Sequence, residues 1–135
     1  AGPAHFTNGE TFEATVYGPP WNALEGGGET STGVKLASGV QSSMNGPYVF
    51  AADPGVIPYG TKALIWPNPF NYRGEFSCED TGGAFLGTGD KHIDIYDPLG
   101  RTHQNGFGGV KGLQNDGSGP HGGKWVKLKV THWGR

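Results

Sequence analysis

Residues 92–97 read His92-Ile93-Asp94-Ile95-Tyr96-Asp97, and this alternation decides the fold. Side chains along a strand point to opposite faces in turn, so Ile93 and Ile95 share one face and Asp94 takes the other. The same period of two recurs along the chain. Phe12, Ala14 and Val16 alternate with Glu13, Thr15 and Tyr17, and Phe76 and Cys78 alternate with Ser77 and Glu79. Val126, Leu128 and Val130 alternate with Lys127, Lys129 and Thr131. Two further runs read as strands: 47–52, ending in Asp53-Pro54, and 62–66, closed by Pro67. No window carries a 3.6-residue period, although 107–114 has room for one short helical turn. At least six short strands separated by turn residues predict an all-β chain with under a fifth helix. A closed barrel is the expected form, because closure removes edges that so small a sheet has no other way to protect.

The composition agrees with a loop-rich β protein. The chain has 135 residues, which suits one domain over 1–135. Its 26 Gly and 10 Pro would suit disorder, but 4 Trp, 5 Tyr and 7 Phe supply material for a core. Residues 25–33 and 115–123 read as surface loops. The net charge of −2 gives no general preference for nucleic acid. That charge is unevenly spread: residues 1–97 hold 4 Lys/Arg against 11 Asp/Glu, whereas 98–135 hold 6 against 1. Cys78 is the only cysteine, so no intramolecular disulfide forms. No stretch is apolar and long enough to span a bilayer as a helix, and Ala1-Gly2-Pro3-Ala4-His5 is compatible with a mature N-terminus. A monomer is expected.

The chemistry concentrates in 51–97. If the isoleucines fill a core, Asp94 stands outward on a rigid strand, where neighbouring aromatics would favour a proton-carrying carboxyl group. A solvated strand aspartate is the plain alternative. Asp80 falls where a strand breaks into Thr81-Gly82-Gly83, a position that suits a turn-forming carboxylate or a backbone approached by ligand. Asp53 precedes Pro54-Gly55 and reads first as a turn residue. Asp97 falls on the face opposite Asp94 and is expected to be dispensable. Tyr17, Trp21, Tyr59, Trp66, Phe70, Tyr72, Trp125 and Trp133 suffice to stack on sugar rings, though half or more belong to packing. Trp21 and Tyr72, in polar loops, suit a groove best. His92, His103, His121 and His132 lack ligand spacing, so no metal or other cofactor is expected. Cys78 reads as a buried, inert thiol. No glycine-rich stretch leads from a strand into a helix, so no phosphate cradle is present.

Three segments together resemble the 3D, or three-aspartate, domain of MltA-type lytic transglycosylases and of stationary-phase survival and resuscitation-promoting-factor-like proteins. They are Asp53-Pro-Gly-Val-Ile-Pro-Tyr-Gly-Thr-Lys62, Asp80-Thr-Gly-Gly-Ala84 and Ile93-Asp94-Ile-Tyr96. Ala14-Thr15-Val16-Tyr17 and Ala37-Ser38-Gly39 resemble the family's first strand and the loop after it. The resemblance covers roughly 14–97 and implies a double-psi β-barrel in a secreted or cell-wall-associated protein. It implies cleavage of the β-1,4 bond between N-acetylmuramic acid and N-acetylglucosamine in peptidoglycan. Asp94 would be the acid/base and Asp80 a second catalytic carboxylate, with Asp53, Tyr17, Trp21, Thr81, Gly82, Gly83, Trp66, Tyr72 and Tyr96 contacting substrate. Asp80 and Asp94 are expected in one open groove, walled by at least two of Tyr17, Trp21, Trp66 and Tyr72. The chain departs from the family in a longer link between its second and third aspartates, with Phe85-Leu86 and Thr88-Gly89-Asp90-Lys91 in place of a short, lysine-bearing one. The resemblance does not extend to residues 98–135. An expansin-like polysaccharide-binding module and a cellulase-like barrel glycosidase are the alternatives.

Overall fold

The structure, a computed structural model, describes residues 9–19, 28–43, 46–82, 85–99, 120 and 123–134. The expected helical turn at 107–114 lies outside the described residues. Six strands form within the expected runs: β1 (Glu10–Tyr17), β2 (Val49–Ala51), β3 (Lys62–Trp66), β4 (Phe76–Asp80), β5 (His92–Tyr96) and β6 (Lys124–His132). Among the described residues the one helical element is a 3₁₀ turn at Pro69–Asn71. The strands close in the order β1-β5-β2-β4-β3-β6. β1 runs parallel to β5 and β2 parallel to β4, while the other four pairings are antiparallel. This is the arrangement of a small double-psi barrel. Its parallel pairs need long crossovers, which accounts for the glycine-rich connections between strands.

The two faces of each strand divide as the period of two requires. Phe12, Phe50, Phe76, Ile93, Ile95 and Leu128 are fully buried inside the barrel, with Ala14, Ala63 and Cys78 among them. The Cys78 thiol is pushed up to about 12, chiefly by burial and further by the neighbouring Glu79 and Asp80 charges. It donates to the Ile57 carbonyl at 3.6 Å and is an inert core group. A second apolar cluster forms on the outer face from Tyr17, Leu36, Val49, Ala51, Phe85 and Tyr96. Loop 28–43 supplies Leu36 and the loop after β4 supplies Phe85, so this wall of the barrel is roofed by its own connections.

Close backbone approaches demand glycine at two strand ends. A Cβ on Gly18 would run into the Asp97 carbonyl, and one on Gly123 would lie 2.5 Å from the Ala14 carbonyl oxygen. The Gly123 N–H donates to buried Glu13 at 2.9 Å and so satisfies that carboxylate. Asp97 lies on the face opposite Asp94, as the period of two predicts. It is fully buried. Its N–H donates to the Tyr17 carbonyl at 2.8 Å and its Oδ1 accepts the Leu99 N–H at 3.0 Å. Asp97-Pro98 forms an Asx turn that ends β5, a role that the face it occupies does not reveal.

Asp53 ties two loops together. Its carboxylate is buried and accepts the N–H groups of Gly55 at 3.0 Å, Gly87 at 3.1 Å and Gly89 at 2.7 Å. Burial by itself would raise the Asp53 carboxyl; the three backbone donors outweigh it and hold the group below the usual carboxylate value. A carboxyl lowered on folding stabilises the fold above its unfolded value, about 3.9, and that stability is lost as pH falls through the lower folded value. Asp53→Asn is therefore expected to cost on the order of 2 kcal/mol at neutral pH. Urea melts should show the difference from wild type shrinking as the pH drops below about 3.9. An equal deficit at neutral and strongly acid pH contradicts this role.

Candidate functional site

One register row gathers the outer-face chemistry. Ala51 pairs with Asp94 on β5 and with Asp80 on β4, while Asp94 also pairs with Thr15 on β1. The order across the wall is Thr15, Asp94, Ala51, Asp80. Neighbouring strands lie about 4.8 Å apart, so the two aspartates flank Ala51 across two interstrand spacings. Ala51 itself is buried, packed with Tyr17, Leu36, Phe85 and Tyr96 in the outer cluster. A register shift at Phe50/Ala51 brings Asp80 into line with Ala51, although β4 would otherwise turn it inward with Phe76 and Cys78.

The two carboxylates are held differently. Asp80 Oδ1 accepts the Ser31 N–H at 3.0 Å, the Ser31 hydroxyl at 2.8 Å and its neighbour's Thr81 N–H at 2.9 Å. Asp80 Oδ2 accepts the Tyr17 hydroxyl at 3.2 Å. Four donors on one carboxylate fix it as an acceptor with set orientation. Asp94 is half-buried at mid-strand, and its Oδ1 accepts the Thr15 hydroxyl at 3.0 Å. Thr15 Oγ1 also lies 2.8 Å from His92 Nε2. A hydroxyl has one proton; given to Asp94, it leaves Thr15 to accept from His92 Nε2–H. A buried histidine is thereby linked through one hydroxyl to Asp94, and the Phe85 ring, 4.6 Å away, packs on its imidazole.

Tyr17 joins the two halves. Its phenol is buried and pushed well above the usual tyrosine value, first by burial and then by the Asp80 and Asp94 charges. Both carboxylates thus bear on the same hydroxyl. Tyr96 is fully buried beside it, the ring centroids 5.8 Å apart, and accepts the Ala37 N–H at 2.9 Å. Burial raises its phenol while the Ala37 N–H opposes that shift. Thr81 and Gly82 follow Asp80 at the mouth of the loop, and Gly82 accepts the N–H groups of Phe85 and Leu86.

The remaining residues singled out in the sequence stand elsewhere. Asp53 is the buried loop tie described above. Tyr72 stacks on Tyr48 with ring centroids 3.6 Å apart and packs edge-on against Phe76. Trp66 ends β3, which stands three strands from β5 around the closed ring in either direction. Trp21 and Gly83 lie outside the described residues. Conversely, Ser31, Thr15, His92 and Ala51 were not marked as site residues by their sequence context. Ser31 sits in Glu29-Thr30-Ser31-Thr32-Gly33, whose Ser and Thr side chains are suited to bonding nearby backbone and carboxylates. Among the described residues, no group of three His, Cys, Asp or Glu side chains converges as a metal site would.

Residues 48–114 match the family model of the 3D domain. The chain is also 35% identical over 88 residues to the cell wall-binding protein YocH of Bacillus subtilis (strain 168), an alignment that covers 64% of this chain and 26% of that protein. The chain thus spans about a quarter of that relative's length. The 3D segment holds β2 to β5, hence all three aspartates, whereas β1 and β6 close the barrel from outside it. Residues 48–114 are a 3D domain.

The raised Tyr17 phenol has a direct readout. Tyr17→Phe is expected to leave the absorbance titration of tyrosinate between about pH 9 and 11 unchanged, since Tyr17 contributes nothing there in the folded protein. Loss of one titrating tyrosine from that range would show that the hydroxyl is not held between the two carboxylates.

Proposed function

We propose that this 3D domain acts on peptidoglycan, cleaving the glycan strand between N-acetylmuramic acid and N-acetylglucosamine with Asp94 as acid and then base. The row Thr15, Asp94, Ala51, Asp80 is the observation that carries this reading. It sets two half-buried carboxylates on one rigid wall, on either side of the buried Ala51. Lytic cleavage needs only one carboxyl group. In its protonated form Asp94 gives its proton to the leaving glycosidic oxygen; the resulting carboxylate then takes a proton from the muramic 6-hydroxyl as that oxygen attacks its own anomeric carbon. Thr15, bonded to Asp94 Oδ1, fixes the rotamer from which the proton is delivered. Asp80, fixed by Ser31, Thr81 and Tyr17, presents negative charge to the cationic character that develops on the ring. Hydrolysis would use the same wall with water as acceptor. It requires the carboxyl groups about 5–5.5 Å apart for retention or about 6.5–9.5 Å apart for inversion.

A second reading is binding without cleavage. It is favoured by the printed name of the Bacillus relative, which describes binding to the cell wall. In that reading the Asp80 cluster hydrogen-bonds sugar hydroxyls and Asp94 is a further acceptor. In either reading the protein works at the cell wall, outside the membrane.

Asp94→Asn separates the two. Asparagine keeps the shape and the capacity to accept from Thr15 but has no acidic proton to give. The variant is expected to retain its melting temperature and its co-sedimentation with purified sacculi, while release of soluble muropeptides falls by about 10²–10⁴-fold. A variant that releases fragments at the wild-type rate removes Asp94 from the mechanism. A wild-type protein that binds sacculi and releases nothing establishes the binding reading instead.

A further inference from the structure

The wall opposite Asp94 carries chemistry that the aspartate site does not use. Along β6, Val126, Leu128 and Val130 point into the barrel, and Trp125, Lys127 and Lys129 point outward. Lys127 pairs with Trp66 of β3, and Lys129 pairs with Leu64. Trp66 and Trp125 are therefore diagonal neighbours on adjacent antiparallel strands, roughly 7–8 Å apart. They are 65% and 45% exposed, and with Pro67, Thr11 and Lys127 they line one groove of about 330 Å³. Two large aromatics sharing a groove on a solvent-facing sheet are the kind of exposed apolar patch that marks a binding surface.

The charge around the groove says what fits it. Lys62, Lys127 and Lys129 all lie on this face and are exposed. Among the described residues the salt bridges are Lys35–Glu29 and Lys91–Glu10, so none of these three is neutralised within the described residues. Beyond Trp125 the next groove is of mixed charge, lined by Asp90, Lys91, His92 and the buried Glu13. The surface from Trp125 toward Lys129 thus combines flat indole faces with unneutralised cations. An indole plane matches the C–H face of a pyranose ring, and a lysine row matches carboxylates carried at intervals along a polymer.

We propose that the outer face of β3 and β6 is a second glycan-binding surface, which docks a peptidoglycan strand through Trp66 and Trp125 and pairs Lys127 and Lys129 with the free carboxylates of the peptide stems that its muramic acid residues carry. This rests on the reading of peptidoglycan as substrate and adds where else on the molecule the polymer is held. β3 stands three strands from β5, so the surface holds a neighbouring strand or a distant part of the same one rather than the bond beside Asp94. Two sites engaging one polymer raise the local concentration of each for the other. The surface also gives a use to the basic, aromatic C-terminal strand, which lies beyond the 3D segment.

The test is co-sedimentation with purified sacculi stripped of teichoic acids, for wild type, Trp66→Ala/Trp125→Ala and Lys127→Glu/Lys129→Glu. All four side chains point away from the core, so melting temperatures are expected to stay close to wild type. Both double variants are expected to lose at least tenfold in apparent affinity, and raising the salt is expected to weaken wild type but not the lysine variant. If wild type itself fails to co-sediment, the peptidoglycan reading fails and this inference with it. If wild type binds and both variants bind equally well, the reading stands and this surface is not part of it. If wild type binds only walls that retain teichoic acids, the occupant is a polyphosphate and the proposal is overturned.

Discussion

A strand of three residues sets the position of nearly everything else on this molecule. Val49–Ala51 is buried on both faces, with Phe50 in the barrel core and Val49 and Ala51 under the outer cluster. It lies antiparallel to β5 and parallel to β4, so it joins two halves of the barrel that have no other shared edge on this side. Its register decides that Asp94 and Asp80 stand on either side of Ala51. One residue of slip would turn the Ala51 side chain into the core and separate the aspartates. The burial of Phe50 on one face and of the tyrosine cluster on the other makes that slip costly.

The same arrangement explains why two neighbouring carboxylates can serve different ends. Asp80 takes four donors, three of them from the loop at 31 and the turn at 81, and is bound into the frame of the wall. Asp94 stands mid-strand with a hydroxyl on one oxygen and a buried histidine behind that hydroxyl. Asp53, the third aspartate, spends its carboxylate on three glycine N–H groups and holds the loops that roof the wall. The three aspartates thus differ in the donors that hold them rather than in their spacing along the chain.

Much of this was legible in the sequence, because a period of two is a local property. Four of the six strands lie where apolar residues alternate and the other two lie in continuous apolar runs, and the outward face of Asp94 follows from the isoleucines on either side of it. Closure order and register are set by contacts far apart in sequence, and no local pattern records them. Ala51 gave no sign of lying between two aspartates. Ser31 sits in a stretch that resembles a linker, yet it supplies two of the four donors on Asp80. Asp97 has the same residue type and strand as Asp94, but it is fully buried at the strand end, where Pro98 makes a turn that needs its carboxylate. The exposed tryptophans read equally well as members of the aspartate groove. Only the barrel order separates Trp66 from β5.

The central claim is that the row from Thr15 to Asp80 is where a glycan meets this protein. The most direct measurement is backbone amide NMR during titration with short, soluble glycan fragments built of alternating N-acetylglucosamine and N-acetylmuramic acid. The account predicts saturable shifts at Thr15, Ala51, Asp80, Thr81 and Asp94, largest where the two carboxylates flank Ala51. Saturable binding that leaves these five amides unmoved would contradict it.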